Sequence, residues 1–219
     1  MSDTQEVSVR EIAPGIFHWS ALHPIIRVRV SSYYLAEART VLDPLVPAEG
    51  LGLFDEREPP LRVLLTNRLH CRHTHRFVEA FGCEVWTNRE GLSHFGPEGE
   101  IQGLDVRGFE AGESLPGGLE SLAVGVLCPD ETAFRIPGRE PALAIADGVI
   151  RDGDGPLAFV PDALLGDDPE AVKRGLCAAY ARLLPLEFDH LLLAHGDPWI
   201  GGGREALRNF SGTPSASAP

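Results

Sequence analysis

The stretch from Leu61 to His75 reads LRVLLTNRLHCRHTH, an apolar run followed by three histidines within six residues. Its valine and leucines predict a short buried strand, and the polar residues after them predict a turn that leads into a helix. Imidazole is a common metal ligand, and a turn can direct histidines toward one point where a regular strand would send them to opposite faces. The stretch therefore predicts a strand followed by a candidate metal-binding turn at His70 and His73.

Two arginines, Arg68 and Arg72, lie among these histidines. A guanidinium group keeps its proton in a protein and cannot ligate a metal, so both residues argue against a fully loaded metal cluster at the turn. A fixed cation could instead take the place of a missing metal, or it could bind a substrate carboxylate. Both arginines are therefore candidate substrate-binding residues.

The composition is that of an ordinary globular protein. With 219 residues and 43% apolar content the chain can bury one substantial core, and we expect a single domain over residues 1–210. Residues 211–219 are mostly small, polar or proline and are predicted to be disordered. A formal net charge of -13 repels phosphate backbones and anionic lipid, so we expect a small-molecule substrate and no nucleic acid or membrane partner.

The sequence shows neither a signal peptide nor a transmembrane span. Its four cysteines, at positions 71, 83, 128 and 177, form no CxxC pair and are expected to be buried thiols. We therefore expect a cytoplasmic protein, and the sequence leaves its oligomeric state open.

Strand and helix signals fall into two regions. In the first, four short segments predict an antiparallel meander, at residues 15–19, 26–30, 32–35 and 40–42. A helix over 74–81 that ends at Gly82, and a strand over 84–86, then complete a strand, helix, strand unit. In the second region, extended segments predict another sheet, at residues 122–127, 133–136 and 142–146.

Two helices and one more strand are predicted toward the end of the chain. Asp168 can cap a helix that starts at Pro169, and an apolar stripe predicts that this helix packs on a sheet. Residues 191–194 form a short, fully apolar run that predicts a buried strand. A short final helix is predicted over 204–210.

Three of the apolar strands end beside residues that can bind a metal. Binding sites form where strand ends meet, so we expect these residues to lie close together. They are His70 and His73 after the first strand, Asp147 after the second and His195 after the third.

With this order and spacing the chain resembles the metallo-β-lactamase superfamily over residues 9–210. The resemblance implies an α/β fold, a metallo-β-lactamase-like four-layer αββα sandwich whose metals lie at one edge of its two sheets. The family motif H-x-H-x-D-H, placed on the chain without a gap, starts at Arg68. It keeps the second and third histidines as His70 and His73, while Arg68 and Arg72 replace the first histidine and the aspartate. A register that starts at Asn67 would keep none of the four, and the choice of register stays open.

The later family motifs are partly kept. The next family histidine would fall near Cys128, where the chain has no histidine, whereas the bridging aspartate corresponds to Asp147 and the final histidine to His195. The resemblance then implies one divalent metal on His73, Asp147 and His195, assisted by His70. Zinc suits such a set best, iron or manganese are alternatives, and the absence of any metal is the other interpretation.

The resemblance also implies roles for these residues. His70 and Asp147 would be catalytic residues in a mechanism where the ion lowers the pKa of its water and the hydroxide attacks a carbonyl or an ester. Asp43 matches an early aspartate of the family and would fix the tautomer of a ligating histidine, although a turn aspartate before proline is an equally good interpretation. Asp197 would support the site from the loop after His195, or it would only form an Asx turn.

Two functions are consistent with this pattern. The first is a metal-dependent hydrolase with a single-metal site that acts on a small ester, thioester, lactone or phosphoester. The second is a metal-free relative whose arginines fill the former metal site and which acts as a binding or interaction protein. An acidic scaffold with a vestigial site is a third class.

Overall fold

The computed structural model of the chain describes residues 7–212. The residues divide into two compact units, Met1–Glu110 and Ala111–Pro219. The single domain expected over 1–210 stays a prediction. Of the predicted disordered tail, residues 213–219 lie outside the described residues. None of the helices within residues 7–212 combines the length and the apolar character that a bilayer span needs.

The first unit contains a seven-stranded sheet whose strands follow one another in chain order. The first four strands pair antiparallel, and the fourth to seventh pair parallel. An antiparallel meander was predicted, but its first strand, β1, was not. The strands are β1 (Val7–Ala13), β2 (Ile16–Leu22), β3 (Arg29–Leu35), β4 (Thr40–Leu42), β5 (Arg62–Leu64), β6 (Glu84–Asn88) and β7 (Val106–Phe109).

The β2–β3 hairpin differs from the sequence prediction. The alternating residues 26–30 were predicted as a strand of their own, but β3 starts at Arg29 and continues to Leu35. The preceding residues form the hairpin tip, where the Arg27 amide donates to the His23 carbonyl (3.0 Å) and Arg27 takes a positive φ of 57°. Alternation of apolar and charged side chains therefore does not indicate a half-buried strand here. The apolar side chains Ile25, Ile26 and Val28 lie in the turn and are exposed to solvent.

Within residues 7–110 one α-helix packs against the core of the first unit. Helix α1 (Thr74–Phe81) ends at Gly82 in the left-handed conformation (φ 67°), as predicted, and Phe77 of this helix is fully buried. Phe77 packs in one cluster with Trp19 of β2, Val41 of β4 and Val63 of β5. This packing sets the position of the chain between β5 and α1, which carries the histidine turn.

The second unit contains a five-stranded sheet and a two-stranded ribbon. Its strands are β8 (Ser114–Leu115), β9 (Leu119–Ala123), β10 (Thr132–Ile136), β11 (Ala142–Ile145), β12 (Ile150–Arg151), β13 (Leu157–Ala158) and β14 (His190–Leu193). The sheet order is β14-β11-β10-β9-β8, and β12 pairs only with β13. All neighbours in the sheet are antiparallel except β11 and β14, which pair in parallel. Parallel pairing brings the carboxyl ends of β11 and β14 to the same edge.

Two helices pack in the second unit. Helix α2 (Pro169–Leu183) starts as predicted, because the Asp168 carboxylate accepts a hydrogen bond from the Ala171 amide at 2.9 Å. Its buried stripe, which includes Leu176 and Tyr180, packs in one core with β11, β14 and Leu207 of helix α3 (Gly203–Phe210). The sheet edge that bears Asp147 and His195 is thus backed by a packed core.

Candidate metal centre

The histidine turn follows β5 as a short 3-10 helix over Arg68–Cys71. The Asn67 side chain caps it by accepting from the Leu69 amide at 2.9 Å. Arg72, which follows, has a positive φ of 42°, so the chain bends sharply before α1 begins at Thr74. The bend sends His70 and His73 into different surroundings.

His70 is buried (5% exposed) against the end of β4. Its Nδ1 lies 2.9 Å from Oδ2 of Asp43 and 2.8 Å from Oγ1 of Thr66. The Asp43 carboxylate also accepts from the Thr66 amide (2.8 Å) and the Thr66 hydroxyl (2.6 Å). Because an ionised carboxylate only accepts, Nδ1 of His70 carries a proton, and in the neutral ring Nε2 then keeps its lone pair. This is the tautomer that a metal-ligating histidine needs.

Asp43 is charged in these surroundings. Burial by itself would raise the pKa of Asp43, but the positive charge that His70 carries when protonated, the hydrogen bond of His70, the charge of Arg72 and the hydrogen bond of Thr66 together hold it below its usual value. The structure thus brings Asp43 and His70 together as the sequence suggested, and the role of Asp43 in catalysis stays a prediction.

The hydrogen bonding of His73 is the reverse of that of His70. Its Nδ1 accepts a hydrogen bond from the Val46 amide at 3.1 Å. Burial, followed by the charges of His75, Arg76 and His23, lowers the pKa of His73 and so favours the neutral ring. A neutral ring that accepts at Nδ1 carries its proton on Nε2, which is then a donor. The ligand role predicted for His73 therefore requires the bond to Val46 to break, and it stays a prediction.

Arg72 is committed partly to the main chain. Its Nη1 donates to the carbonyl oxygens of Ser31 (2.7 Å) and Asp43 (2.8 Å), and its side chain is half-buried. These bonds tie the middle of β3 to the end of β4. Arg68 is also half-buried, on the 3-10 turn. Binding of substrate by the two arginines stays a prediction.

Asp147 and His195 meet at the carboxyl-end edge of β11 and β14. The Ala194 amide donates to the Ile145 carbonyl (3.2 Å) and extends the parallel pairing by one residue. Oδ1 of Asp147 then lies 3.0 Å from Nε2 of His195, and each side chain is about one-fifth exposed (21% and 19%). Two ligands of one tetrahedral zinc, each about 2.0–2.1 Å from the ion, lie roughly 3.3 Å apart. The pair is therefore spaced as two ligands of one ion would be.

Two glycines fix the loops that carry this pair. A Cβ on Gly148 would lie 2.3 Å from the Tyr180 hydroxyl and 2.5 Å from Leu176, so the turn after Asp147 rests directly on α2. Gly196 has φ +88°, and a Cβ there would lie 2.0 Å from the carbonyl oxygen of Arg151. No larger residue fits at either position without movement of the backbone or of the helix side chains.

Arg151 and Tyr180 also shape this edge, and sequence reasoning missed both as site residues. The Arg151 guanidinium donates to the carbonyls of Gly155 (2.7 Å) and Pro198 (3.0 Å) and lies 4.4 Å from the centre of the Trp199 ring. Tyr180 was predicted only as part of an apolar stripe. Burial, then the charges of Glu131, Asp147 and Cys177, raises the pKa of its phenol well above normal.

The remaining predicted residues have smaller parts in this geometry. The Asp197 carbonyl lies 3.5 Å from Nη1 of Arg151, and the supporting role of its carboxylate stays a prediction. All four cysteines are free thiols, but only Cys83 and Cys128 are buried as expected; Cys71 and Cys177 are half-buried.

Each unit by itself contains donors that suit a divalent metal ion. Within the second unit, Asp147 and His195 offer a carboxylate oxygen and an imidazole nitrogen 3.0 Å apart. Within the first unit, His70 offers an imidazole nitrogen, and its ring is hydrogen-bonded to a carboxylate. Nitrogen and oxygen donors of this kind suit zinc, iron and manganese.

Comparisons with known proteins identify the fold. No protein-family model and no curated protein sequence matches the chain. Solved structures do match: a metallo-beta-lactamase from Pontibacter korlensis is 16% identical with a TM-score of 0.64, over 95% of this chain and 100% of that one. A beta-lactamase domain protein from Burkholderia ambifaria is 16% identical with a TM-score of 0.63, over 96% of this chain and 78% of that one.

A third solved structure is of TTHA1623 in a di-iron-bound form. It is 24% identical with a TM-score of 0.57, over 91% of this chain and 97% of that chain. At these identities the likeness shows the fold and not the activity. The α/β fold class predicted from the strand ends is confirmed.

Proposed function

Because the chain has the metallo-β-lactamase fold, we propose that it is a hydrolase that uses one divalent metal ion. Its substrate is a small ester, thioester, lactone or phosphoester. The observation that carries the proposal is the 2.9 Å hydrogen bond between Nδ1 of the buried His70 ring and Asp43, because a carboxylate at one ring nitrogen is the usual support of a histidine that ligates through the other.

The proposed ligands are Asp147, His195 and His70. The 3.0 Å spacing of Asp147 and His195 supports a shared ion, and the resemblance to the metallo-β-lactamase superfamily supports His70 as the third ligand. Zinc is the first choice, and the di-iron-bound form of TTHA1623 supports iron as an alternative. Arg68 and Arg72 stand where the family motif has two further ligands, which supports one metal and not two.

A divalent ion held by these residues would supply Lewis acidity toward a water molecule and toward the substrate carbonyl or phosphoryl group. Asp43 keeps the proton of His70 on Nδ1 and thereby holds the ring in one orientation. Asp147 presents a carboxylate oxygen that can accept a proton from the attacking water. Gly148 and Gly196 keep the backbone beside Asp147 and His195 in place, so the two side chains need no rearrangement before reaction.

Metal content of the purified protein, measured by plasma mass spectrometry, tests the proposal. We expect about one equivalent of metal in the wild-type protein and a large loss in each of Asp147→Asn, His195→Ala and His70→Ala. His75→Ala is the matched control, because His75 is an exposed histidine next to the same turn. It should keep the metal.

Hydrolysis of a panel of esters, thioesters, lactones and phosphoesters should fall in parallel with metal content. Protein that takes up no metal after incubation with zinc, iron or manganese would contradict the proposal. It would support the metal-free binding protein instead.

A further inference from the structure

A pocket of about 310 Å³ in the first unit lies beside the histidine turn. This volume is near the lower end of the range of roughly 300–1,000 Å³ that is usual for small-molecule sites. Its lining comes from the β2–β3 hairpin tip, the loop after β4, the histidine turn and the loop before β7, and includes Pro24, Leu45, Cys71 and Ile101.

The polar lining of the pocket consists mainly of donors. Arg68 and Arg72 line it, and so do His23 and His73. Nδ1 of His23 accepts from the Ile25 amide (3.2 Å), just as Nδ1 of His73 accepts from the Val46 amide (3.1 Å). In the neutral form of each ring the proton therefore sits on Nε2. Two guanidinium groups and two imidazole N–H groups are a lining suited to an acceptor with negative charge.

One carboxylate also lines the pocket, and it belongs to Glu100. Its side chain is 81% exposed and lies 3.6 Å from Nδ1 of His94. An exposed carboxylate in water opposes the field of partly buried cations only weakly. The lining of the pocket is thus positively charged, although the net charge of the chain is -13.

The rest of the lining is apolar. Ile25 and Leu69 are large side chains that remain 82% and 65% exposed, while Leu45 is only 2% exposed. Exposed apolar side chains beside a basic lining are expected where a ligand has both an apolar body and an anionic group. Arg72 is held by main-chain carbonyls, so its charge is preorganised beside the apolar wall.

We propose that this pocket binds a small amphipathic carboxylate, with its anionic group at Arg68 and its apolar body against Leu69 and Ile25. The ligand is the acid part of the substrate or product, and only this last step rests on the proposed hydrolase function. Binding itself needs no metal, because the lining belongs to the first unit and includes none of Asp147, His195 and His70, the ligands that the proposed function assigns.

Isothermal titration of metal-free, chelator-treated protein tests the binding step. The probes are octanoate, octanol, which has the chain without the charge, and acetate, which has the charge without the chain. We expect octanoate to bind at least tenfold more tightly than either of the others. Equal affinity for octanoate and octanol, or no octanoate binding, would overturn the inference.

Two variants and a matched control locate the site. Arg68→Gln and Leu69→Ser should each weaken octanoate binding about tenfold, which corresponds to about 1.4 kcal/mol. Arg174→Gln removes a charge from an exposed position on α2 and should leave the affinity unchanged. Circular dichroism checks that each variant is folded. Equal weakening by Arg68→Gln and Arg174→Gln would show that only net charge matters, and would also overturn the inference.

Activity of metal-loaded protein separates the inference from the proposed function. An ester that carries a free carboxylate on an apolar chain should have about tenfold higher kcat/KM than its neutral analogue, and Arg68→Gln should abolish this preference. Octanoate binding without hydrolysis of any ester leaves the pocket standing and refutes the hydrolase. Hydrolysis without octanoate binding leaves the hydrolase standing and refutes the pocket.

Discussion

Nδ1 of His70 and Oδ2 of Asp43 lie 2.9 Å apart in a buried contact between the histidine turn and the residue after β4. The carboxylate accepts three hydrogen bonds in total, two of them from Thr66. It therefore controls which nitrogen of His70 carries the proton.

Asp43→Asn should weaken metal binding about 10- to 100-fold, because the amide no longer holds His70 in the ligating tautomer by charge. Competition with a chelator measures the affinity, and nitrogen chemical shifts of the His70 ring report the tautomer independently. Asp55→Asn, at an exposed position, is the control and should change neither quantity. An Asp43→Asn protein that binds zinc as tightly as the wild type would show that Asp43 does not position His70.

His18 should make the protein sensitive to mild acid. It is fully buried, and burial, followed by the charge of Arg10, lowers the pKa of His18 from 6.5 to about 3. Between these values the unfolded chain binds a proton that the folded chain does not, so the stability falls as the pH falls from 6.5 toward 3. At pH 4.5 the loss attributable to His18 should be about 2–3 kcal/mol, from about 1.4 kcal/mol per pH unit.

Urea unfolding of wild type and His18→Gln across pH 4.5–7 measures this effect as a difference in slope. The variant should depend less on pH, whatever its stability at pH 7. Exposed His75 offers the comparison, because His75→Gln should keep the wild-type slope. Parallel curves for His18→Gln and wild type would contradict the prediction.

Tyr180→Phe should be neutral or stabilise the protein by up to about 1 kcal/mol. The Tyr180 hydroxyl is buried, and among residues 7–212 it has no hydrogen-bond partner. Removal of an unsatisfied polar group removes its desolvation cost. Equilibrium unfolding measures the change, and a loss of more than about 1 kcal/mol would show that the hydroxyl forms a bond after all.

Gly148→Ala should destabilise the protein by about 1–3 kcal/mol, because its Cβ would meet the Tyr180 hydroxyl at 2.3 Å and Leu176 at 2.5 Å. Combination with Tyr180→Phe should recover part of this loss, since only one of the two contacts is relieved. A double-mutant cycle gives the coupling. If the effects of the two substitutions on the free energy of unfolding are strictly additive, the methyl group of the alanine does not contact the Tyr180 phenol.

Gly196→Ala and Gly201→Ala form a matched pair that separates backbone strain from collision. Both glycines have positive φ, +88° and +77°, but only a Cβ on Gly196 meets the backbone, at 2.0 Å from the Arg151 carbonyl oxygen. Gly201→Ala should cost about 1–2 kcal/mol from conformation alone. Gly196→Ala should cost at least about 2 kcal/mol more and should lower metal content by displacing His195. Similar losses of stability for both variants would show that the loop at Gly196 can move to accommodate a Cβ at little cost.

Local sequence signals were sufficient for much of the fold. The cap at Asp168, the stop at Gly82 and the apolar run at 191–194 predicted a helix start, a helix end and a strand that the structure contains. Each depends on interactions between near neighbours in the chain. Residues 26–28 of the hairpin tip were predicted wrongly as part of a strand over 26–30, because the alternation of apolar and charged residues does not reveal the positive φ at Arg27.

The sequence by itself determined that chemistry-bearing residues would follow buried strands, because an apolar run dictates a strand and its end dictates where the next polar side chain emerges. Only the tertiary structure decided what each histidine can do. His70 and His73 are three residues apart, yet each takes its partner from 27 residues earlier, Asp43 for one and the Val46 amide for the other. A carboxylate acceptor leaves Nε2 able to ligate, and an amide donor leaves Nε2 able to donate. That difference arises only when β4 and the histidine turn are packed together.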